Sequence, residues 1–162
     1  VRSLRAPQSV DLGRNQTIEW RNDDKDVYEE VVVIPDRIIE ENTLKSDGTK
    51  ATVEVRLPWY RSLPAASVSE VEFSVDGVAA PAESIRWTMN GRTYALDELV
   101  GVIDEWWFPT DSAVVTGDIP VEVGRSHDVR VALKLYIPYI VTDHGVLRIE
   151  EHNEKTMEAV AS

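Results

Sequence analysis

Between Thr52 and Val75 the chain twice alternates between apolar and polar residues with a period of two. In Thr52-Val-Glu-Val-Arg-Leu57, the residues Val53, Val55 and Leu57 fall on one side of an extended chain, and Thr52, Glu54 and Arg56 on the other. Val71, Phe73 and Val75 alternate with Glu70, Glu72 and Ser74 in the same way. Asp76-Gly77 follows at once, and Asn90-Gly91 lies between Ile85-Arg-Trp-Thr-Met89 and Arg92-Thr-Tyr94. Both dipeptides favour type I′ turns, whose central residues need positive φ, so this stretch is expected to be antiparallel hairpins. The longest expected strand covers 128–140. There Val129, Val131, Leu133, Leu135 and Ile137 face one way, and Arg130, Ala132, Lys134 and Tyr136 the other. Pro138 has no N–H to donate, so central ladder pairing should end there or the stretch should lie at an edge.

Weaker patterns fill the remainder. Val31-Val-Val-Ile34 reads as a short buried strand before Pro35, and further strands are expected at 112–116, 121–123 and 146–149. Ala95-Leu-Asp-Glu-Leu-Val100 fits a single helical turn, with Asp97 or Thr93 as the cap and Gly101 as the stop. The first thirty residues scatter their charges without a period. These patterns divide the chain into an extended or mobile arm at 1–26, a β domain at 27–149 and an acidic tail at 150–162, helical or frayed. Many short strands with one apolar face imply an all-β fold, an antiparallel β-sandwich of jelly-roll type with short helical turns.

Composition narrows the function. The 162 residues suffice for one domain with a buried core. No cysteine is present, which removes disulfides, thiolate metal sites and a cysteine nucleophile. A formal charge of −12 disfavours both a nucleic-acid backbone and an anionic membrane as partner. No apolar run approaches the roughly 18 residues of a membrane helix, and the start lacks a signal-like apolar stretch. A soluble cytoplasmic protein is expected.

Catalytic motifs are missing from the sequence. His127, His144 and His152 show no metal-ligand spacing. His127-Asp128 and Asp143-His144 could be imagined as a base with its orienting carboxylate. Neighbours on an extended chain point to opposite faces, however, so exposed turn histidines are the expectation. Aromatic and arginine residues instead gather in three segments. These are Leu57-Pro-Trp-Tyr-Arg-Ser-Leu-Pro64, Asp104-Glu-Trp-Trp-Phe-Pro109 and Tyr136-Ile-Pro-Tyr-Ile140. Alternation forces one of Trp59 and Tyr60, and one of Trp106 and Trp107, away from the interior. Outward Trp, Tyr and Arg suit protein interfaces and also stack on sugar or aryl rings.

Several segments taken in order resemble one family. They are Ile34-Pro-Asp-Arg-Ile-Ile-Glu-Glu-Asn-Thr-Leu44, Arg56-Leu-Pro-Trp-Tyr-Arg-Ser-Leu-Pro64, Val75-Asp-Gly77, Asn90-Gly-Arg-Thr-Tyr-Ala-Leu-Asp-Glu-Leu99, Trp106-Trp-Phe108 and Ile137-Pro-Tyr-Ile140. Their sequence resembles the small β subunit of bacterial C-glycoside deglycosidases. The likeness spans about 33–140, and the Leu-Pro-Trp-Tyr-Arg-Ser-Leu-Pro string is its most specific part.

The resemblance implies a carbon–carbon lyase complex acting on a sugar already oxidised to a 3-ketone and joined to an aromatic aglycone. It implies a TIM-barrel α subunit that holds a divalent metal, usually manganese, and the catalytic base. The β chain would then be non-catalytic, with no cofactor of its own. It would stabilise the barrel and help to shape the active-site entrance. Carried over as interface or cavity-lining positions are Arg56, Trp59, Tyr60, Arg61, Trp106, Trp107 and Tyr139. Two alternatives stay open: a stand-alone β-sandwich carbohydrate-binding module, and a small lyase or isomerase acting through His127 or His144.

Overall fold

The computed structural model describes residues 37–162, together with the backbone of three strands before them. Those three are β1 (Leu4–Arg5), β2 (Gln16–Asn22) and β3 (Tyr28–Val33), paired antiparallel in the order β1-β2-β3. The expected strand at Val31 is thus the end of β3. The state of the expected arm at 1–26 otherwise lies outside the described residues.

From residue 37 onward the chain is almost wholly extended. In order come β4 (Lys45–Ser46), β5 (Ala51–Arg56), β6 (Leu63–Pro64), β7 (Val68–Val75) and β8 (Val78–Ala79). After them come β9 (Arg86–Met89), β10 (Arg92–Ala95), β11 (Trp106–Trp107) and β12 (Ser112–Gly117). Two long strands, β13 (Ser126–Thr142) and β14 (Gly145–Glu158), precede the short β15 (Val160–Ala161). Three short 3-10 segments, Ala65–Ser67, Ala82–Ser84 and Leu96–Gly101, join strands. One sheet runs β10-β9-β12-β5-β4-β15, the other β14-β13-β7-β8, and β11 pairs with β6 beside them. All pairings are antiparallel except β15 with β4. The protein is an all-β, sandwich-like fold.

The two-residue alternation determines which side chains form the core. Val53 and Val55 of β5, Val71, Phe73 and Val75 of β7, and Val129 to Ile137 at alternate positions of β13 are buried in one cluster with Trp87, Ala113 and Val115. The two sheets meet closely at Gly117, where a Cβ would stand 2.6 Å from the Ala80 Cβ and 3.1 Å from Phe73 Cδ1. The opposite face of the four-stranded sheet is ionic. Arg130 of β13 lies between Glu72 and Glu154 at 3.5 and 3.4 Å, and Lys134 between Glu70 and Glu150 at 2.7 and 3.7 Å. Central cations flanked by acids on both neighbouring strands are suited to a face that stays in water.

Both hairpin turns have the expected backbone: φ is 50° and 78° at Asp76 and Gly77, and 51° and 75° at Asn90 and Gly91. Pro138 also acts as expected. Pairing with β7 stops at Leu135, and the β13–β14 register shifts between Ile137 and Val141.

Four expectations are corrected. The 121–123 segment is not a strand: Pro120 removes a ladder donor, Val121 O accepts from Ser46 Oγ at 2.7 Å, and the chain turns at Gly124. The 3-10 segment at Leu96 is capped by neither Asp97 nor Thr93; the Glu98 side chain reaches back to the Ala95 N–H at 2.7 Å. The stretch from 150 onward is not a helical or frayed tail. It continues β14 and pairs with β13 out to Ser126–Glu158. Its inward positions hold Glu151, Asn153 and Met157, all buried. Asn153 Oδ1 accepts from the Ile39 N–H at 3.0 Å, and Ile39 bridges to Val55, which ties the end of the chain to both sheets.

His127 provides the fourth correction. It is not an exposed turn residue, although, as alternation requires, its ring does not pair with Asp128. Its ring is 8% exposed, with Nδ1 2.6 Å from Asp76 Oδ2 and Nε2 2.8 Å from Glu122 O. Asp76 also accepts from the Asp128 N–H at 2.9 Å. The hydrogen bond to Asp76 raises the His127 pKa, and the same bond lowers that of Asp76. This clip fastens the β7–β8 turn to the start of β13 and has a structural role.

Candidate functional site

Three chain-distant aromatic segments meet at one region of the sandwich. The loop after β5 carries Leu57, Trp59 and Leu63 inward, while Tyr60 and Arg61 point out. Trp59 is fully buried yet has an indole N–H that needs a partner, and it donates to the Tyr139 hydroxyl. Tyr139 sits in the irregular stretch that follows Pro138, where its strand has lost a regular ladder. The Arg61 guanidinium lies over the Tyr139 ring, 5.3 Å from its centroid, in a cation–π contact. Trp59 and Tyr60 add a tilted ring pair at 5.2 Å. Burial pushes the Tyr139 phenol above its ordinary pKa, so at neutral pH it keeps a proton to donate.

The third segment joins through backbone pairing. Trp106 stands opposite Pro64 and Trp107 opposite Leu63. Trp107 turns into the core, edge-on to Trp87 at 4.9 Å and 80°, and its indole N–H donates to Asp111 O at 3.0 Å. Trp106 remains 46% exposed. The Asn90–Gly91 turn supports it: the Asn90 amide donates to Glu105 Oε2 at 2.9 Å and to Trp106 O at 3.3 Å. Arg92 closes on Glu105 at 3.5 Å.

Of the seven candidate positions, six are thus connected. Trp59 and Trp107 are inside and hold the loops in place, while Tyr60, Arg61, Trp106 and Tyr139 present themselves to solvent. Arg56 stands at the head of the first loop, ion-paired with Glu40. Sequence reasoning overlooked two exposed apolar residues in this region, Val100 and Ile103, at 76% and 71% exposure. Their signal was present in the apolar run Leu99-Val-Gly-Val-Ile103, which straddles the end of the expected helical turn at Gly101. Among the described residues, no group of three or more His, Asp or Glu side chains is placed to hold a metal ion. No helix of the described residues is long and apolar enough to cross a membrane.

Chemically, the cluster offers outward aromatic faces, one delocalised cation and a phenolic donor on a rigid, hydrogen-bonded base. Such a surface can dock a protein or stack on a ring, and it holds no paired acid and base for bond cleavage.

Comparison with known proteins gives a consistent set of likenesses. Residues 32–139 match the family model described as C-glycoside deglycosidase beta subunit. A C-glycoside deglycosidase beta subunit of Microbacterium trichothecenolyticum is 57% identical over 131 residues, covering 80% of this chain and 100% of the relative. One from Arthrobacter globiformis is 58% identical over 126 residues, 77% of this chain and 96% of the relative. A 3′-dehydrocarminate deglycosidase beta subunit from a Microbacterium species is 32% identical over 123 residues, 76% and 93% of the two chains.

Proposed function

The chain belongs to the C-glycoside deglycosidase beta subunit family, and from that premise we propose that it serves, with an α subunit, to cleave the C–C bond between a 3-oxo sugar and an aromatic aglycone. The relative named for 3′-dehydrocarminate supports a substrate sugar that has already been oxidised at C3. The chemistry explains the need for that oxidation. A ketone at C3 acidifies the C2 proton; once a base removes it, the electron pair can expel the aryl group from C1. The departing aryl carbon takes up a proton, so the reaction is an elimination that needs a base and a proton donor.

In this reading the α subunit is a TIM barrel that supplies the base and a divalent metal, most simply manganese. The metal's contribution there is Lewis-acid polarisation of the sugar ketone. The present chain is non-catalytic and acts in the cytoplasm. It stabilises the α subunit and forms part of the wall of the active-site entrance. Tyr60, Arg61, Trp106 and Tyr139 make the contacts, and Trp59 and Trp107 fix the loops that carry them. Excluding water at such an entrance strengthens every polar interaction inside it.

The observation that carries this reading is the exposure of Tyr60, Trp106 and Tyr139 on loops that are otherwise fully anchored. Large aromatics left in water on a rigid base mark a contact surface rather than a fraying loop. The test is co-expression with a C-glycoside deglycosidase α subunit from the same organism, followed by affinity capture through a tag on this chain. A stable complex that releases free aglycone from a 3-oxo-C-glycoside is expected. Failure of the two chains to co-purify would overturn the reading.

A further inference from the structure

Four apolar side chains within nine residues, Val100, Ile103, Trp106 and Phe108, are exposed by 76, 71, 46 and 47%. The backbone that presents them is held firmly. Ala66 N–H donates to Val102 O at 3.0 Å, Ala65 N–H to Glu105 O at 2.9 Å, and Val102 N–H to Leu99 O at 3.0 Å. Leu99 and Trp107 anchor the same segment in the core. The exposed side chains therefore form a fixed apolar ridge, and a partner would lose little loop entropy on binding it.

The charge along the chain segment that carries the ridge is one-sided. From Thr93 to Gly124 the sequence has seven acids and no Lys or Arg. Asp97, Glu98, Asp104 and Asp111 are exposed and alternate along the chain with the apolar residues. Arg92 reaches in to meet Glu105, while among the described residues Asp97, Glu98, Asp104 and Asp111 form no ion pair with a described Lys or Arg. A second copy of this chain fits poorly, because a two-fold contact would bring the acid rims of two chains of charge −12 together. Side chains left 46–76% exposed also do not enclose a small ligand.

We propose that this ridge is the docking surface for the α subunit, and that it seats in an apolar groove rimmed by Lys and Arg on that partner. The inference rests on the reading of the chain as one subunit of a complex and adds to it the surface and the sign of its charge. The ridge supplies the buried centre of the contact and the acids supply its rim, which governs the rate of encounter more than the lifetime.

The test uses the full chain and the purified α subunit, with association and dissociation followed by surface-attached binding kinetics. The double variant Val100→Asp/Ile103→Asp places charges at the centre of the contact and is expected to weaken binding at least about tenfold. His152→Asp, on the exposed ionic sheet face, is expected to bind as the wild type does. Circular dichroism and melting temperature check that both variants fold. Asp97→Lys/Asp104→Lys is expected to slow association about tenfold with dissociation little changed, and raising salt should slow the wild type similarly. If wild type binds and the Val100→Asp/Ile103→Asp variant binds equally well, the docking ridge is wrong while the subunit reading stands. Faster association of the lysine variant would overturn the basic rim. Dimers of this chain alone that the same aspartates dissolve would assign the ridge to self-association. If the wild type does not bind α at all, the subunit reading itself falls.

Discussion

Glu151 offers a quantitative test of the packing. It lies on the inward face of β14, is 3% exposed, and its Oε1 has no hydrogen-bond partner in the structure. Burial raises its pKa from 4.5 to about 7, because an unpaired carboxylate loses hydration that nothing replaces. Folding therefore favours the protonated form. The stability associated with that proton is fully present below the unfolded value of 4.5, falls as pH rises from there, and is gone above the folded value of about 7. At about 1.4 kcal/mol for each pH unit between the two values, the loss is about 3 kcal/mol. Glu151→Gln keeps the shape and cannot ionise. Urea unfolding of both proteins at pH 4.5 and pH 8 isolates the effect, since every other titrating group cancels in the difference. The variant should gain about 3 kcal/mol on the wild type between those two pH values. With an m-value of about 2 kcal/mol/M, that is a relative midpoint shift of about 1.5 M. Parallel pH profiles for the two proteins would refute the burial of this carboxyl.

Other consequences follow from the same structure. Gly117→Ala drives a methyl group against Ala80 Cβ and Phe73, and thermal or urea unfolding should show a loss of about 1–3 kcal/mol. Trp107→Ala empties a core position beside Trp87 and should cost about 3–5 kcal/mol, also lowering affinity for the α subunit because Trp106 loses its support. In the His127–Asp76 clip, the histidine contribution is complete below its ordinary pKa near 6.5 and is lost as pH rises through its raised folded value. The Asp76 contribution is complete above its ordinary 3.8 and is lost as pH falls through its lowered folded value. Both hold together between those ordinary values, and Asp76→Asn should bring the His127 titration, read by NMR, back down.

The strands that the sequence made legible are those whose inward residues are all apolar. On β5, β7 and β13 the apolar set is continuous, so burial follows from period two alone. Beyond Ile149 the inward positions of β14 are taken by Glu151 and Asn153, and the alternation disappears although the strand does not. Asn153 earns its buried place through the Ile39 N–H, a contact between residues far apart in sequence and invisible to any local pattern. The aromatic pairs show the same division. Alternation requires one member of each to leave the core. Choosing Trp59 over Tyr60 depends on Tyr139, which accepts its indole proton from another segment. Asp76 and His127 likewise meet only because the β7–β8 turn folds beside the start of β13. Alternation excluded Asp128 as the partner of His127, but no local pattern names Asp76 in its place.

The central claim is that this chain works as a non-catalytic partner whose surface completes an active site held by another subunit. Its most direct test is release of free aglycone from a 3-oxo-C-glycoside by purified α subunit, measured with and without this chain and with the chain alone. The account predicts no turnover by this chain alone and a rate at least about tenfold higher for the mixture than for α alone, since a misplaced or open site commonly loses that much or more. Equal rates for α alone and for the mixture, or turnover by this chain without α, would contradict it.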